Sequence, residues 1–160
     1  MFNNTGMNYW LVKTEPHVYS IDDLRRDKKT EWTGVRNYQA RNFLQQMRVG
    51  DSVIVYHSNA EPPGVVGIAT VKTAAVPDPT QFDKKSEYFD PKATKEAPRW
   101  FCPDLKFVRK LSRLIALDEL RSCTTLAGLA LLQKGSRLSV LPVSEKHFDT
   151  IVELASKASP

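Results

Sequence analysis

The sequence predicts an α+β domain: a small, partly open mixed β-barrel of five to six strands with short helices around it. Three observations carry this expectation. The strand-like runs are short, rich in Val, Ile, Tyr and Trp, and bounded by Gly, Pro and Asn. The helical stretches, three or four in number, do not alternate with the strands as βαβ units do, which disfavours a doubly wound sheet. Gly67 sits inside the longest β-rich run, where a barrel needs a bulge or a bend. The chain has 160 residues, one domain's worth, expected over residues 8–155. A chain of that size buries roughly two-thirds of its unfolded surface and needs no metal or disulfide to fold.

Taken in order, residues 8–13 (NYWLVK) are aromatic and aliphatic without a breaker, and read as a strand. Glu15-Pro16 turns the chain. Ser20 caps a short helix whose first turn holds Asp22 and Asp23, suited to the positive end of the helix dipole. Trp32-Thr33-Gly34 is a loop. Asn37 caps a second helix, in which Ala40, Phe43, Leu44 and Met47 share a face at helical spacing, with Gly50 as its stop. Ser52–His57 and Val65–Val76 are strands. Residues 77–98 hold four prolines among many charges and form a long loop, which Phe82, Tyr88 and Phe89 should pin down. Arg99–Leu111 is a strand with Leu105, Phe107, Arg109 and Leu111 on one face. Leu117–Arg121 makes one or two helical turns, and Leu126–Leu132 is short and apolar. Leu138–Leu141 is a strand ended by Pro142. Ser144 caps a last helix with Phe148, Ile151, Val152 and Ala155 on one side, and the tail SKASP frays.

Composition narrows the class. Hydrophobic residues make up 41% and charged residues 26%, ordinary values for a globular protein. No apolar run approaches the roughly 20 residues of a membrane span. The start, MFNNTGMNYW, lacks the charged region and apolar core of a signal peptide, so the expected location is cytoplasmic, or nuclear in a eukaryote. Cys102 and Cys123 stand alone, outside any CxxC pair, which points to a reducing compartment and to no metal. The net charge of +5 attracts a polyanion without identifying one. Lys106, Arg109, Lys110 and Arg113 follow one another with no acid between them, and Lys13, Arg36, Arg41 and Arg48 lie in the first third.

Catalytic machinery is not evident. His147 falls on the polar side of the last helix. His57 and Ser58 are neighbours on a strand end, pointing to opposite faces, so they make no nucleophile pair. His17 has no visible partner. There is no GxxxxGK[ST] loop, GxGxxG fingerprint or GxSxG elbow, and so no cofactor is expected. The expectation is a binding module and not an enzyme.

Aromatics, small polar groups and arginines cluster where loops meet elements. The strings are KTEP, WTGVRNYQARNF, YHSN, PPGVVGIA, DPKA and RLSVLPVS. In that order, from about Tyr9 to Phe148, they resemble the EVE domain of the PUA-like superfamily. The resemblance implies a PUA-like mixed barrel with peripheral helices. It also implies recognition of a modified base in nucleic acid, with modified cytosine in DNA as the favoured ligand, and an association with restriction-type nucleases in bacteria. A flipped base offers two π-faces and one hydrogen-bonding edge, so flat side chains and a few polar groups suffice to read it. Stacking is worth roughly 1–3 kcal/mol per base.

On that reading the ligand candidates are Trp32, Tyr56 and Trp100 as pocket walls, and Thr14, Asn37, Ser58, Asn59 and Ser139 as edge contacts. Lys13, Arg36, Arg41, Lys106 and Arg109 are the candidates for the nucleic-acid backbone. Helix capping is a sufficient explanation of Asn37 by itself, and core packing of Trp10. Two positions depart from the family pattern: Thr14 stands where serine is common, and Leu141 where glutamine is frequent. Other classes stay open. They are a reader of modified or structured RNA, an accessory to an RNA-modifying enzyme, and a protein adaptor using the 77–98 loop.

Overall fold

In the computed structural model, which describes residues 6–158, the elements run in chain order as follows. Strand β1 (Tyr9–Thr14) leads to helix α1 (Ile21–Asp27), strand β2 (Lys29–Glu31) and helix α2 (Tyr38–Gln46). Strands β3 (Ser52–His57), β4 (Gly64–Pro77) and β5 (Phe101–Ala116) come next. Helix α3 (Leu117–Ser122), strand β6 (Val140–Val143) and helix α4 (Glu145–Ala155) complete the chain. Short 3-10 turns lie at Pro79–Phe82, Thr124–Leu126 and Ala130–Leu132.

The strands make one mixed sheet in the order β2-β5-β4-β3-β1-β6. Strand β1 pairs parallel with β3 and antiparallel with β6, and the other ladders are antiparallel. The sheet is not closed: β2 and β6 are its edges. Pro142 lies within β6 and does not end it. An edge strand tolerates a missing N–H, and here Pro142 sits opposite Trp10. The start of the chain (residues 1–5) and the last two residues of the tail lie outside the described residues. Among those described, no helix is long and apolar enough to cross a membrane.

Both faces of the sheet are covered, which explains why YWLV is continuously apolar instead of alternating. Trp10 and Val12 join Val53 and Val55 under α1 and α2 in a first core. Leu11 joins Ile54 and Tyr56 under α3 and α4 in a second core. Each large side chain sealed there contributes about 1.5–3 kcal/mol. Gly67 serves this packing. A Cβ at that position would run into the Ile21 side chain, so glycine lets α1 lie against the sheet.

The caps fall where the sequence placed them. Ser20 Oγ accepts from Asp23 N at 3.1 Å, and the Asp23 carboxylate accepts from Ser20 N at 2.9 Å, a reciprocal box. Asn37 and Ser144 cap α2 and α4. Two further expectations change. The face drawn through Leu105, Phe107, Arg109 and Leu111 is split. Leu105 and Phe107 pack in the first core and Leu111 in the second, because register shifts between β4 and β5 reverse the alternation. Strand β2 was not expected; three residues are too few to show a period.

Candidate functional site

At the end of β1 the chain leaves the sheet and opens a cleft of about 390 Å³. That volume is within the range of about 300–1,000 Å³ typical of ligand sites. Its walls are the turn after Thr14, the loop after β2, Tyr88 from the long loop, and Ser139 just before β6.

Trp32 is the main ring. Strand β2 delivers it, pairing with β5, and the Trp32 amide donates to Pro103 O at 2.9 Å. Tyr19 meets it edge-on, with centroids 6.3 Å apart and planes at 87°. Tyr19 is itself fixed. Its hydroxyl donates to Asp27 Oδ2 at 2.8 Å, and its carbonyl accepts from Thr14 Oγ1 at 2.6 Å. Burial and the bond to Asp27 push the Tyr19 phenol up to about 12, so it stays a neutral donor. Tyr88 lies over Gly34, whose φ of +89° is the left-handed region that favours glycine. A Cβ at Gly34 would come within 2.9 Å of the Tyr88 ring.

The three tryptophans differ in their indole N–H. Trp10 donates to Asp51 at 2.9 Å and Trp100 to Asp90 at 2.8 Å. Among the described residues Trp32 Nε1 has no partner, and no side-chain nitrogen or oxygen is buried without one. The Trp32 N–H therefore reaches solvent. The Ser139 hydroxyl, on the same cleft, likewise has no partner among the described residues, nor has the ammonium of Lys13, another residue of the lining. Partial burial holds the Lys13 amine below its ordinary value.

The structure thus brings Thr14, Trp32, Ser139, Lys13 and Arg36 to one cleft. It does not bring the rest. Tyr56 is sealed in the second core, while its neighbour Val55 packs in the first. Trp100 is covered by Tyr38, stacked on it at 4.9 Å and 22°. Asn37 is occupied as a helix cap. The Ser58 amide donates to Thr14 O at 3.0 Å. Asn59 is outside the lining and donates to Glu15 Oε2 at 3.2 Å.

The cations divide in the same way. Arg36 has five N–H donors, and all five are used inside the protein, which leaves none for a phosphate. Arg41 lies over the Tyr38 ring at 4.7 Å and donates to Arg99 O. Lys106 and Arg109 are exposed on β5, away from the cleft lining. Lys110 and Arg113 are paired with Asp22 and Glu119. His57 accepts at Nε2 from the Ile21 amide at 3.1 Å, so it anchors the start of α1. Tyr19 and Tyr88 were missed. Each comes from a segment separate from Trp32, and nothing local in the sequence marks them as neighbours.

An open, mixed six-stranded sheet with short helices on both faces is the PUA-like architecture expected from the resemblance. Residues 8–154 match the model of the EVE domain, and the chain belongs to the EVE domain family. It is 39% identical to thymocyte nuclear protein 1 of Mus musculus, over 96% of this chain and 77% of that protein. Among solved structures it is similar to a hypothetical protein from Leishmania major, with a TM-score of 0.92 and 47% identity over 96% and 98% of the two chains. It is also similar to human THYN1 protein in complex with 5-methylcytosine containing DNA. There the TM-score is 0.89 and the identity 37%, over 95% of this chain and 99% of that one.

Proposed function

We propose that this protein binds DNA carrying a modified cytosine, with 5-methylcytosine the favoured base, and takes the extruded base into the cleft beside Trp32. One observation carries the reading: of three buried tryptophans, Trp32 alone lines the cleft and keeps an indole N–H without a partner among the described residues. A ring with an accessible N–H offers a flat face for stacking and one donor for a base edge. Tyr19 and Tyr88 narrow the slot around it, and the Ser139 hydroxyl offers a second polar contact. Lys13, a lining residue with no counter-ion among the described residues, suits the flanking phosphate. The kinship to a protein seen with 5-methylcytosine containing DNA favours the same ligand class.

We read the site as one for binding, with no turnover. Its lining carries rings, hydroxyls, the Lys13 amine, the fully engaged Arg36 and the Glu15 and Glu31 carboxylates, with no histidine or cysteine among them; His57 is engaged in holding α1. Access to DNA implies residence with it, in the nucleus where the source is eukaryotic. The test is a titration of matched duplexes, one with a single 5-methylcytosine and one without, at one salt concentration, since phosphate contacts make affinity salt-dependent. The wild type should prefer the modified duplex, and Trp32→Ala should bind both alike. A preference that survives Trp32→Ala in folded protein removes Trp32 from the site.

A further inference from the structure

The cleft has two walls from distant parts of the chain: the loop carrying Trp32, and the 78–90 segment carrying Tyr88. What joins them is Asp78, whose side chain is fully buried. Its Oδ2 accepts from the Gly34 amide at 2.8 Å and from Arg36 Nη1 at 3.1 Å. Its Oδ1 accepts from the Thr80 amide at 2.7 Å and from the Thr80 hydroxyl. One carboxylate therefore binds four donors, two from each wall. Arg36 completes the tie. Nε and Nη2 donate to Tyr88 O at 3.0 and 2.8 Å, and Nη2 also donates to Thr80 Oγ1. Its guanidinium carbon stands 5.5 Å from the Tyr88 ring centroid.

We infer that Asp78 is a positioning residue: its carboxylate locks the Trp32 loop to the Tyr88 segment, fixing the width of the slot and with it the preference for a modified base. The inference rests on the base-binding reading of the cleft. Only an acceptor on both oxygens fits. An asparagine amide at either place would set an N–H₂ group against a backbone N–H, the Thr80 amide on one side or the Gly34 amide on the other. A methyl-sized modification offers only about 1–3 kcal/mol of discrimination, so a small loosening of the slot erases most of it. Gly34 keeps the two walls in contact, since Tyr88 occupies the space where a Cβ would be.

The experiment uses the full chain as wild type, Asp78→Asn and Arg36→Lys. Affinity is measured for a duplex with one 5-methylcytosine and for its unmodified match, and amide hydrogen exchange is followed in the same samples. Asp78→Asn should speed exchange at the Gly34 amide at least tenfold while the amides of β1 and β3 stay protected. The ratio of the two affinities should fall at least fivefold. Arg36→Lys keeps the charge but loses the fork on Tyr88 O, and should move both readings the same way by less. If Asp78→Asn leaves β1 and β3 unprotected, Arg36→Lys decides by the same two readings. A wild-type preference that persists within twofold in a variant whose Gly34 amide exchanges freely overturns the role of Asp78. So does a Gly34 amide that stays protected. A wild type that binds both duplexes equally overturns the base reading itself.

Discussion

Trp32 and Trp100 are buried to nearly the same degree, 8% and 6% exposed, yet their surroundings have opposite character. Trp100 is held by its neighbours at its face and its N–H. Tyr38 stacks on its face, Arg36 lies 5.4 Å from its ring, and Asp90 takes its N–H. The backbone on either side is held by the buried Gln81, whose Oε1 accepts from the Arg99 and Trp100 amides and whose Nε2 donates to Trp100 O. Trp32 has an edge-on tyrosine and an open N–H. Burial as a fraction does not separate a structural ring from a binding ring. The state of the polar atom does, because a buried N–H without a partner is expensive and an accessible one is available to a ligand.

The sharpest way to break this contrast is Trp100→Ala. It removes a large packed ring and should cost about 3–5 kcal/mol of stability. A urea titration should show the midpoint drop, with base binding lost only as the fold is lost. A mild loss of stability with loss of base preference would put Trp100 in the site.

Acid should act on the tie between the two regions. Burial pushes the Asp78 carboxyl up, and the bonds from Thr80, Gly34 and Arg36 outweigh it, so the group titrates below its ordinary value. A carboxyl lowered in the folded state contributes fully above the unfolded value of roughly 4, and the contribution disappears as pH falls through the lower, folded value. The Gly34 amide should stay protected down to about pH 4 and lose protection below it. Loss already near neutrality would contradict the assigned partners.

Trp32→Phe keeps a ring and removes the donor. With one hydrogen bond worth about 1 kcal/mol, affinity for the modified duplex should drop roughly fivefold at nearly unchanged stability. Equal affinity in wild type and variant would leave stacking as the sole role of the ring. Ser139→Ala should give the smallest effect, a loss of about two- to threefold in the same titration. A larger fall in stability than in affinity would move Ser139 from the cleft into the β6 framework.

Much of the fold was legible because its signals are local. Ser20, Asn37 and Ser144 cap the helices they were expected to cap, since a side-chain oxygen and an amide three residues on are enough to define the motif. The apolar runs of β1 and β3 mark strands wherever they pair. Part of the cleft was legible as well, in Lys13, Thr14, Trp32, Arg36 and Ser139. Tyr56 and Trp100 were placed in it by their chemistry alone. Their exclusion depends on long-range contacts: Tyr56 packs in the second core under α3 and α4, and Trp100 is covered by a tyrosine 62 positions earlier in the chain. Arg36 looked like a phosphate ligand until its five donors were found engaged.

Taken alone, the amino-acid order determined which segments become strands and helices, β2 excepted, where the capped helices start, and the family to which the string of motifs belongs. All of these depend on neighbours a few residues apart or on the linear pattern itself. The tertiary structure decided which rings face the cleft, which arginine is already engaged, and that Asp78 ties Gly34 to Thr80. Strand register and the docking of a loop some 50 residues away set those outcomes, and neither leaves a periodic trace in the chain.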